Sequence, residues 1–500
     1  MVNYQLTEGT ICAPATIPGT GAISIIRVSG KEALTLSDKI IRVNGAPLAE
    51  TEGYRLRYGT ILETDGTILD NVVVSVFRAP HSYTGEDSVE ISCHASKYIV
   101  NAIMAQLIEA GARVAAPGEF TRRAFMNGKM DLAQAEAVAD VIASQSAASH
   151  RVAMNQLKGG FSKELKELRE QLLKMTSLLE LELDFSEEDV EFASREELSV
   201  LVDSTLSHIG RLTDSFSRGN AIKNGVPVAI VGATNTGKST LLNALLGEDR
   251  AIVSDIAGTT RDTIEETLDI DGLMFRFIDT AGIRETDEVV ERIGIERTFR
   301  KMDEAAIVLG MTDLTRGEDA VVADAEYILG RVAEGAGRPV LLVNKCDALS
   351  EKMPNATSKE ASNKNVNAYN NIISRFNIKG FSVPVIFMSA KSGQGLSTLT
   401  STLAEIGREI TGDTDETLVT NARHYEALVN AAAALKRVRK GLGVSDHDNA
   451  SVEFSPGTPL PPDLIAQDLR EALYHLGSIV GEITTDEVLG NIFRNFCVGK

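Results

Sequence analysis

A glycine-rich segment between an apolar run and a helix-forming run dictates the fold of the middle of this chain. Residues 232–239, Gly-Ala-Thr-Asn-Thr-Gly-Lys-Ser, fit the pattern G-x-x-x-x-G-K-[ST], with the apolar run at 226–231 before them and the helical pattern at 240–246 after them. In that context glycines let backbone N–H groups turn toward phosphate oxygens, the lysine reaches the β- and γ-phosphates, and the hydroxyl binds Mg²⁺. The sequence therefore predicts a nucleoside triphosphate site in a doubly wound α/β domain, rather than a glycine-rich turn without a ligand. The nucleotide-binding residues predicted here are Asn235, Thr236, Gly237, Lys238, Ser239 and Thr240, with Lys238 also catalytic and Ser239 a Mg²⁺ ligand.

Three further motifs follow in order, each directly after a predicted strand. They are Asp279-Thr280-Ala281-Gly282, Asn344-Lys345-Cys346-Asp347 and Ser389-Ala390-Lys391. A carboxylate at Asp279 suits the Mg²⁺ shell, and the N–H of Gly282 can sense the γ-phosphate. A carboxylate at Asp347 accepts hydrogen bonds from the N1–H and exocyclic amine of guanine, a donor pair that adenine lacks. The set predicts a Ras-like P-loop GTPase that selects GTP over ATP.

The segment Gly258–Asp262 indicates a switch loop, in which Thr260 is the expected second protein ligand to Mg²⁺. Ile283 stands where Ras-type enzymes have a glutamine that orients the attacking water, and isoleucine forms no hydrogen bond through its side chain. Another group must then orient the water. The residue pattern offers four acids and does not choose among them, since each also fits a solvated switch helix: Glu285, Asp287, Glu288 and Glu291.

Whole-chain composition excludes several classes of protein. The chain has 500 residues, 43% of them hydrophobic, enough for about two to four cored domains. No apolar run approaches the ~18 residues that span a bilayer, and the first residues carry no basic or Arg-rich leader. Four scattered cysteines argue against zinc and disulfides and favour a reducing cytoplasm. A net charge of −20 disfavours non-specific coating of nucleic acid, so an RNA substrate needs a local basic patch or a partner.

The order of patterns along the chain predicts four segments. Residues 1–122 alternate β-rich runs with turns and indicate a small α+β domain, 123–221 and 412–500 are helical, and 222–411 form the GTPase domain. The simplest geometry inserts the GTPase domain into a loop of one helical domain. Residues 352–379 indicate a surface insertion. An apolar seam at helical spacing fits an intramolecular bundle or a dimer; its members are Leu165, Leu168, Leu172, Met175 and Leu179.

Several longer signatures carry a resemblance to a known family. They are 83–87 Tyr-Thr-Gly-Glu-Asp, 116–125 Ala-Pro-Gly-Glu-Phe-Thr-Arg-Arg-Ala-Phe, 131–137 Asp-Leu-Ala-Gln-Ala-Glu-Ala, 255–262 Asp-Ile-Ala-Gly-Thr-Thr-Arg-Asp, 287–297 Asp-Glu-Val-Val-Glu-Arg-Ile-Gly-Ile-Glu-Arg and 496–500 Phe-Cys-Val-Gly-Lys. With these the chain resembles the MnmE (TrmE) family of tRNA-modifying GTPases from residue 1 to residue 500.

The resemblance implies a folate-binding α+β domain at residues 1–122 that also joins a homodimer. It implies that the chain works as a heterotetramer with the FAD-dependent protein MnmG (GidA). The implied reaction installs an aminomethyl-type group, carboxymethylaminomethyl, at C5 of the wobble uridine of tRNA. The implied cofactors are GTP, Mg²⁺, K⁺ and 5-formyltetrahydrofolate or a related reduced folate. GTP hydrolysis is then activated by K⁺ when two GTPase domains meet.

By position, the resemblance also assigns individual residues. It implies a K⁺ cage of Asn235, Ser254, Ile256 and Thr259, further GTP contacts from Asp255, Ala257 and Gly258, and Glu291 as the water-orienting acid. The implied folate residues are Arg27, Glu90, Lys129 and Lys500. Two roles stay open for Cys497, a chemical one near the folate site and that of a small packed hydrophobe. Ala95 and Ser96 replace two glycines usual in the family, which leaves the pocket's detailed shape open.

Two other functions fit parts of the pattern. A ribosome-assembly or signalling GTPase switch without modification chemistry would share the GTPase motifs. A folate-dependent subunit with a vestigial GTPase would share the N-terminal signatures, although Lys238, Asp279 and Asp347 are all present. The signatures in every segment favour the modification GTPase.

Overall fold

The chain forms two compact units. The computed structural model describes residues 9–184, 195–249, 266–278, 303–332, 337–348, 370–374, 383–412, 416–442, 461–484, 486–494, 496 and 499. One unit draws on Met1–Ile142, Ala153–Gly210 and Glu426–Lys500, and the other on Ala143–Val152 and Arg211–Tyr425. Several predicted site residues lie outside the described residues, namely Ser254–Thr260, Asp279–Gly282, Glu291, Cys497 and Lys500.

The first unit contains a seven-stranded sheet in the order β3-β4-β5-β6-β2-β1-β7. Its strands are β1 Ile11–Pro14, β2 Ile23–Ser29, β3 Ile41–Val43, β4 Arg55–Leu62, β5 Ile68–Phe77, β6 Ser88–His94 and β7 Arg113–Val114. Neighbours are antiparallel except the parallel pair β1 and β7. Helices α1 Ala33–Ile40 and α2 Lys97–Ala110 cover one face, where alternate residues of β5, Val72, Val74 and Val76, are fully buried. The predicted α+β domain is confirmed.

Helices dominate two further stretches of the chain. They are α3 Glu119–Met126, α4 Leu132–Ala143, α5 Ala147–Leu157, α6 Gly160–Asp184, α7 Arg195–Asn224, α11 Ala422–Gly441, α12 Pro462–Val480 and α13 Asp486–Arg494. The predicted apolar seam of α6 is buried within the chain, with Leu172 and Leu179 fully inaccessible, and α6 packs against α12. The bundle interpretation of the seam is therefore confirmed.

The second unit contains a six-stranded sheet in the order β13-β12-β11-β8-β10-β9. Its strands are β8 Val226–Gly232, β9 Glu266–Ile270, β10 Leu273–Phe277, β11 Ile307–Asp313, β12 Arg338–Asn344 and β13 Val385–Phe387; its helices are α8 Lys238–Asp249, α9 Glu318–Val332 and α10 Leu396–Thr411. Among these described strands, β9 and β10 pair antiparallel and all other neighbours pair parallel.

Both faces of this sheet are covered, as a doubly wound fold requires. Val228 and Ile230 of β8 pack in the core that contains Leu241 of α8, whereas the alternate residues Ala229 and Val231 pack with Ile328 of α9. The predicted P-loop GTPase fold is confirmed. Of the predicted insertion 352–379, the described part, 370–374, is helical, and Ile372 is buried.

After α10 the chain returns along α7. The backbone N–H of Val419 donates to Ser215 Oγ at 3.0 Å. A Cβ added at Gly219 would lie 2.2 Å from the carbonyl oxygen of Val419, so only glycine fits there. The chain therefore enters and leaves the six-stranded sheet region at one place, as an inserted domain does. No helix in the described residues has the length and apolar character needed to cross a membrane.

Candidate functional site

The glycine-rich loop leaves the central strand β8 at the carboxyl edge of the parallel sheet and runs directly into α8. A Cβ on Gly232 would lie 2.3 Å from the carbonyl oxygen of Met311, and one on Gly237 would lie 2.4 Å from Asn344 Nδ2. Gly237 also has φ +102°. The loop is thus packed against two neighbouring strands, and glycine is required at both positions because no side chain fits. The result is a backbone-lined cradle at a helix N-terminus, the usual geometry for a phosphate group.

Lys238 closes this loop from its C-terminal side. Its Nζ donates to the carbonyl oxygens of Gly232 at 3.0 Å and Ala233 at 2.8 Å. Burial lowers the pKa of Lys238 below that of an ordinary lysine. An anionic phosphate beside the ammonium favours its charged form, so the site is electrostatically suited to a polyphosphate.

The remaining loop residues differ in exposure. Asn235 and Thr240 are exposed, Asn235 has φ +61°, and Ser239 is half-buried in the first turn of α8. Thr236 is fully buried, and its Oγ1 donates to the carbonyl of Ala233 at 2.9 Å. Thr236 thus stabilises the turn from inside, whereas the side chains of Asn235 and Ser239 remain at least partly accessible.

Asn344 connects the phosphate loop to the third predicted motif. Its Nδ2 donates to the carbonyl of Thr236 at 2.8 Å, and its Oδ1 accepts from the N–H of Ala390 at 2.9 Å. The side chain is buried, so both of its polar atoms are satisfied inside the protein. This one amide holds together two loops that lie far apart in sequence.

The second loop at this edge contains Ser389, Ala390 and Lys391. Ser389 is fully buried, and its N–H donates to the carbonyl of Gln394 at 2.9 Å, which closes the turn. Its Oγ accepts from the N–H of Ser392 at 3.2 Å. Asp347 is half-buried and Lys391 exposed. The structure therefore joins the phosphate loop, Asn344 and Ala390 by hydrogen bonds. Asp347 lies three residues after Asn344 in the chain.

One charged residue at this edge was not predicted from the sequence. Asp313, the last residue of β11, lies 2.7 Å through Oδ2 from Nζ of Lys345. An acid at the carboxyl end of a buried strand was the available signal, but nothing in the sequence links it to a residue of the next strand.

Some of the predicted metal ligands lie within the described residues and others lie outside them. Among the described residues, no group of three or more His, Cys, Asp and Glu side chains could hold a metal ion. The Mg²⁺ and K⁺ ligands predicted here rely instead on hydroxyl, amide and carbonyl oxygens, the donors that hard cations prefer. Of these, Ser239 and Asn235 lie at the phosphate loop, and the other ligands are outside the described residues.

A second polar site lies on the seven-stranded sheet. Arg27 of β2 and Glu90 of β6 are register partners, and Glu90 Oε1 accepts from Nε and Nη2 of Arg27 at 3.0 and 2.8 Å. The Arg27 guanidinium lies over the Tyr83 and Phe120 rings, 5.3 and 5.6 Å from their centroids. Burial raises the pKa of Tyr83, so its hydroxyl remains a donor at neutral pH. Tyr83 and Phe120 stand in signature segments but were not predicted as residues of this site.

The tail of the chain reaches the same place. Nη1 of Arg27 donates to the carbonyl of Gly499 at 3.5 Å. Gly499 has φ +100°, and a Cβ there would lie 2.2 Å from the carbonyl oxygen of Pro14. The exposed Lys129 donates from Nζ to the carbonyl of Pro80 at 3.0 Å. The structure thus brings Arg27, Glu90 and Gly499 together, and places Lys129 beside the Pro80 turn.

The chain is similar to known proteins over nearly its full length. Residues 10–129 match the model for the GTP-binding protein TrmE N-terminus, and residues 132–497 match the model for the MnmE helical domain. The tRNA modification GTPase MnmE of Parabacteroides distasonis is 51% identical over 98% of this chain and 100% of its own length. Its counterparts in Bacteroides fragilis and Flavobacterium johnsoniae are 49% and 47% identical, each over 99% of this chain and 100% of their own length.

Solved structures show a weaker likeness. Era from Aquifex aeolicus bound to GDP·AlF4− is 27% identical, with 42% of this chain and 66% of that chain covered and a TM-score of 0.27. The FeoB G-domain from Methanococcus jannaschii is 20% identical over 37% of this chain and 98% of its own, with a TM-score of 0.24.

Proposed function

The chain belongs to the MnmE family of tRNA modification GTPases, and from that premise we propose the chemistry that it performs. With an FAD-dependent partner of the MnmG (GidA) type, it installs a carboxymethylaminomethyl-type group at C5 of the wobble uridine of tRNA. The observation that carries this proposal is the Arg27–Glu90 pair, to which the carbonyl of Gly499 is hydrogen-bonded. It gives this GTPase a second candidate site that is separate from the nucleotide site. A ribosome-assembly or signalling switch has no use for that second site.

At the nucleotide site, we assign the phosphates to the loop 232–239 and guanine to Asp347 with the loop 389–391. Lys238 would release its two loop carbonyls and bind the β- and γ-phosphates instead. The Asn344 amide keeps the phosphate loop and Ala390 at a fixed separation, which orients the nucleotide between them.

For the metal ions, Ser239 and Thr260 would hold Mg²⁺, and Asn235, Ser254, Ile256 and Thr259 would hold K⁺. The exposed, left-handed Asn235 supports this assignment, since solvent and ions can reach its side chain. A cation there would neutralise charge that develops on the phosphates during hydrolysis. Glu291 would orient the water.

Replacing K⁺ by Na⁺ should slow GTP hydrolysis several-fold. Equal rates of hydrolysis in both salts would contradict the proposed K⁺ site.

At the second site, we assign a reduced folate such as 5-formyltetrahydrofolate to Arg27, Glu90, Lys129 and Lys500. A half-buried carboxylate can accept from the amino and ring N–H edge of a pterin, and basic groups suit its carbonyls and glutamate tail. The nearby rings of Tyr83 and Phe120 offer the flat apolar surface that a bicyclic ring requires. Cys497 precedes the docked Gly499 by two residues, so we place it near this site.

We further propose a homodimer that forms through the sheet face opposite α1 and α2. Leu56, Ser75, Glu90 and Arg27 are successive cross-strand partners and therefore share that face. Leu56 and its same-face neighbour Tyr58 are 70% and 61% exposed, and Ile23 and Val73 are exposed as well. An apolar face of this kind is typical of an interface between protomers. The described cysteines, Cys12, Cys93 and Cys346, are buried and form no disulfide bond, which suits work in the cytoplasm.

The test is a gene deletion followed by mass spectrometry of the wobble nucleosides in total tRNA. Aminomethyl-type uridines should disappear and return when the wild-type chain is restored. Glu291→Ala should fail to restore them although it binds GTP normally, because its role exists only in the transition state. Unchanged nucleosides in the deletion, with no second enzyme covering the step, would overturn the proposed modification chemistry in favour of a GTPase switch.

A further inference from the structure

An ion pair at the guanine side of the nucleotide site links Asp313, which lies outside the predicted motifs, to Lys345. Asp313 ends β11 and Asn344 ends β12, and the two residues are register partners in the parallel sheet. Lys345 follows Asn344 with φ +64°, and its Nζ lies 2.7 Å from Asp313 Oδ2. The carboxylate side chain is only 8% exposed, against 35% for the lysine. A nearly buried acid therefore meets the second residue of the Asn-Lys-Cys-Asp motif.

The carboxylate is fixed from its other side as well. Asp313 Oδ1 accepts from the N–H of Thr315 at 2.9 Å and from its Oγ1 at 2.6 Å, across the 3₁₀ turn Leu314–Arg316. Burial alone would raise the pKa of Asp313, but the hydrogen bonds from Lys345 and Thr315 outweigh it and hold the pKa below its usual value. Asp313 is consequently charged and oriented at neutral pH before any nucleotide binds.

Lys345 requires such an anchor because of its backbone. A residue with a Cβ adopts the left-handed region only at an energetic cost, so the surroundings must stabilise it. On one side, Asn344 is held by the phosphate loop and by Ala390. On the other side, the chain continues to Asp347. The ion pair with Asp313 therefore joins the strand edge to the middle of the guanine motif.

We propose that Asp313 is a positioning residue for guanine nucleotide binding. It holds Lys345, and through it the segment Asn344–Asp347, in the arrangement that receives the base and sugar. GDP and GTP share that base and sugar, so the contribution of Asp313 is the same for both nucleotides. It appears in their affinities and leaves the hydrolytic step unchanged.

The test is Asp313→Asn, which keeps the shape and an oxygen that accepts from Thr315 but removes the charge. We expect GDP and GTP to bind about tenfold more weakly, with kcat at saturating GTP within about twofold of wild type. Fluorescent-nucleotide titrations and a steady-state GTPase assay on the full chain measure both. The matched control is Asp324→Asn, which breaks the exposed Arg316–Asp324 pair (2.6 Å) and should leave both affinities unchanged.

A double-mutant cycle with Lys345→Gln asks whether the two residues act together. If Asp313 works through Lys345, adding Asp313→Asn to Lys345→Gln should weaken GDP binding little further. Fully additive losses would overturn the proposal, as would wild-type affinity in Asp313→Asn or a loss confined to GTP.

A milder variant separates positioning from simple stability. Thr315→Val removes the Oγ1 donor but keeps the N–H, so the carboxylate is held less firmly and GDP affinity should fall about two- to threefold. A lower Tm with unchanged GDP affinity would mean that the cluster is merely structural. If Asp313→Asn does not fold, the Tm and GDP affinity of Thr315→Val alone distinguish positioning from a structural role.

Discussion

The nucleotide site and the Arg27–Glu90 site are built on opposite principles. The first is a backbone cradle at the carboxyl edge of a parallel sheet, where Gly232 and Gly237 are packed so tightly that no side chain fits. The second is a set of side chains on the face of an antiparallel sheet, joined by an ion pair and two aromatic rings. A backbone site tolerates almost no change at its glycines, whereas a side-chain site loses its contacts one at a time.

The largest effect should come from the backbone site. Gly237→Ala places a Cβ 2.4 Å from Asn344 Nδ2 at a residue with φ +102°. Backbone strain and the displaced amide together cost about 3 kcal/mol, so GDP and GTP affinities should fall at least about a hundredfold. Nucleotide titration measures this. Gly330→Ala is the matched control, since a Cβ there meets nothing within 4 Å and binding should not change. Tight binding by Gly237→Ala would show that the close packing is dispensable.

A smaller effect is expected from the side-chain network of the N-terminal domain. The side chain of Glu119 is 1% exposed and forms ion pairs with Arg113 and Arg123. It also accepts a hydrogen bond from the N–H of Ala116 at 2.9 Å. Glu119→Gln should lower the free energy of unfolding by about 2 kcal/mol at pH 7, because it removes a nearly buried negative charge that pairs with both Arg113 and Arg123. Chemical denaturation followed by circular dichroism measures the loss.

The pH dependence of that loss identifies its cause. Burial would raise the pKa of Glu119, but hydrogen bonds from Arg113 and Ala116 outweigh it and hold the pKa below its ordinary value of 4.5. A pKa depressed by folding stabilises the protein above the unfolded-state pKa, and that stabilisation disappears as pH falls through the folded-state pKa. The difference between wild type and Glu119→Gln should therefore shrink below about pH 4. Glu167→Gln, which touches only the exposed pair with Lys163 at 4.0 Å, should show no difference at any pH.

The smallest effect should come from the second site. Glu90→Gln removes the charge that pairs with Arg27 at 2.8 Å, and a reduced folate should then bind about tenfold more weakly by calorimetry. GTP affinity should stay within about twofold, since the nucleotide site keeps every contact. Glu52→Gln, in the exposed pair with Arg55 just before β4, is the control in the same domain. Unchanged folate binding in Glu90→Gln would remove that residue from the site.

Contiguity in sequence explains what could be predicted. The phosphate loop, its strand and its helix occupy one short stretch, so spacing and periodicity predicted β8 and α8 correctly. The pairing of Asp313 with Lys345 spans 32 residues and depends on the register of β11 and β12, which no local pattern contains. Arg27 and Glu90 are likewise neighbours only because β2 pairs with β6 in that register. Without the family resemblance each would have remained an ordinary surface charge.

The contact between Arg27 and Gly499 spans 472 positions, and this separation sets an order of events on the ribosome. At about 5–20 residues per second, Gly499 is added roughly half a minute to a minute and a half after Arg27. Every strand of both sheets, the last ending at Phe387, has by then been synthesised. A ribosome that stalls late thus leaves a nascent chain with all the residues for guanine nucleotide binding, while Arg27 still waits for its last hydrogen-bond acceptor.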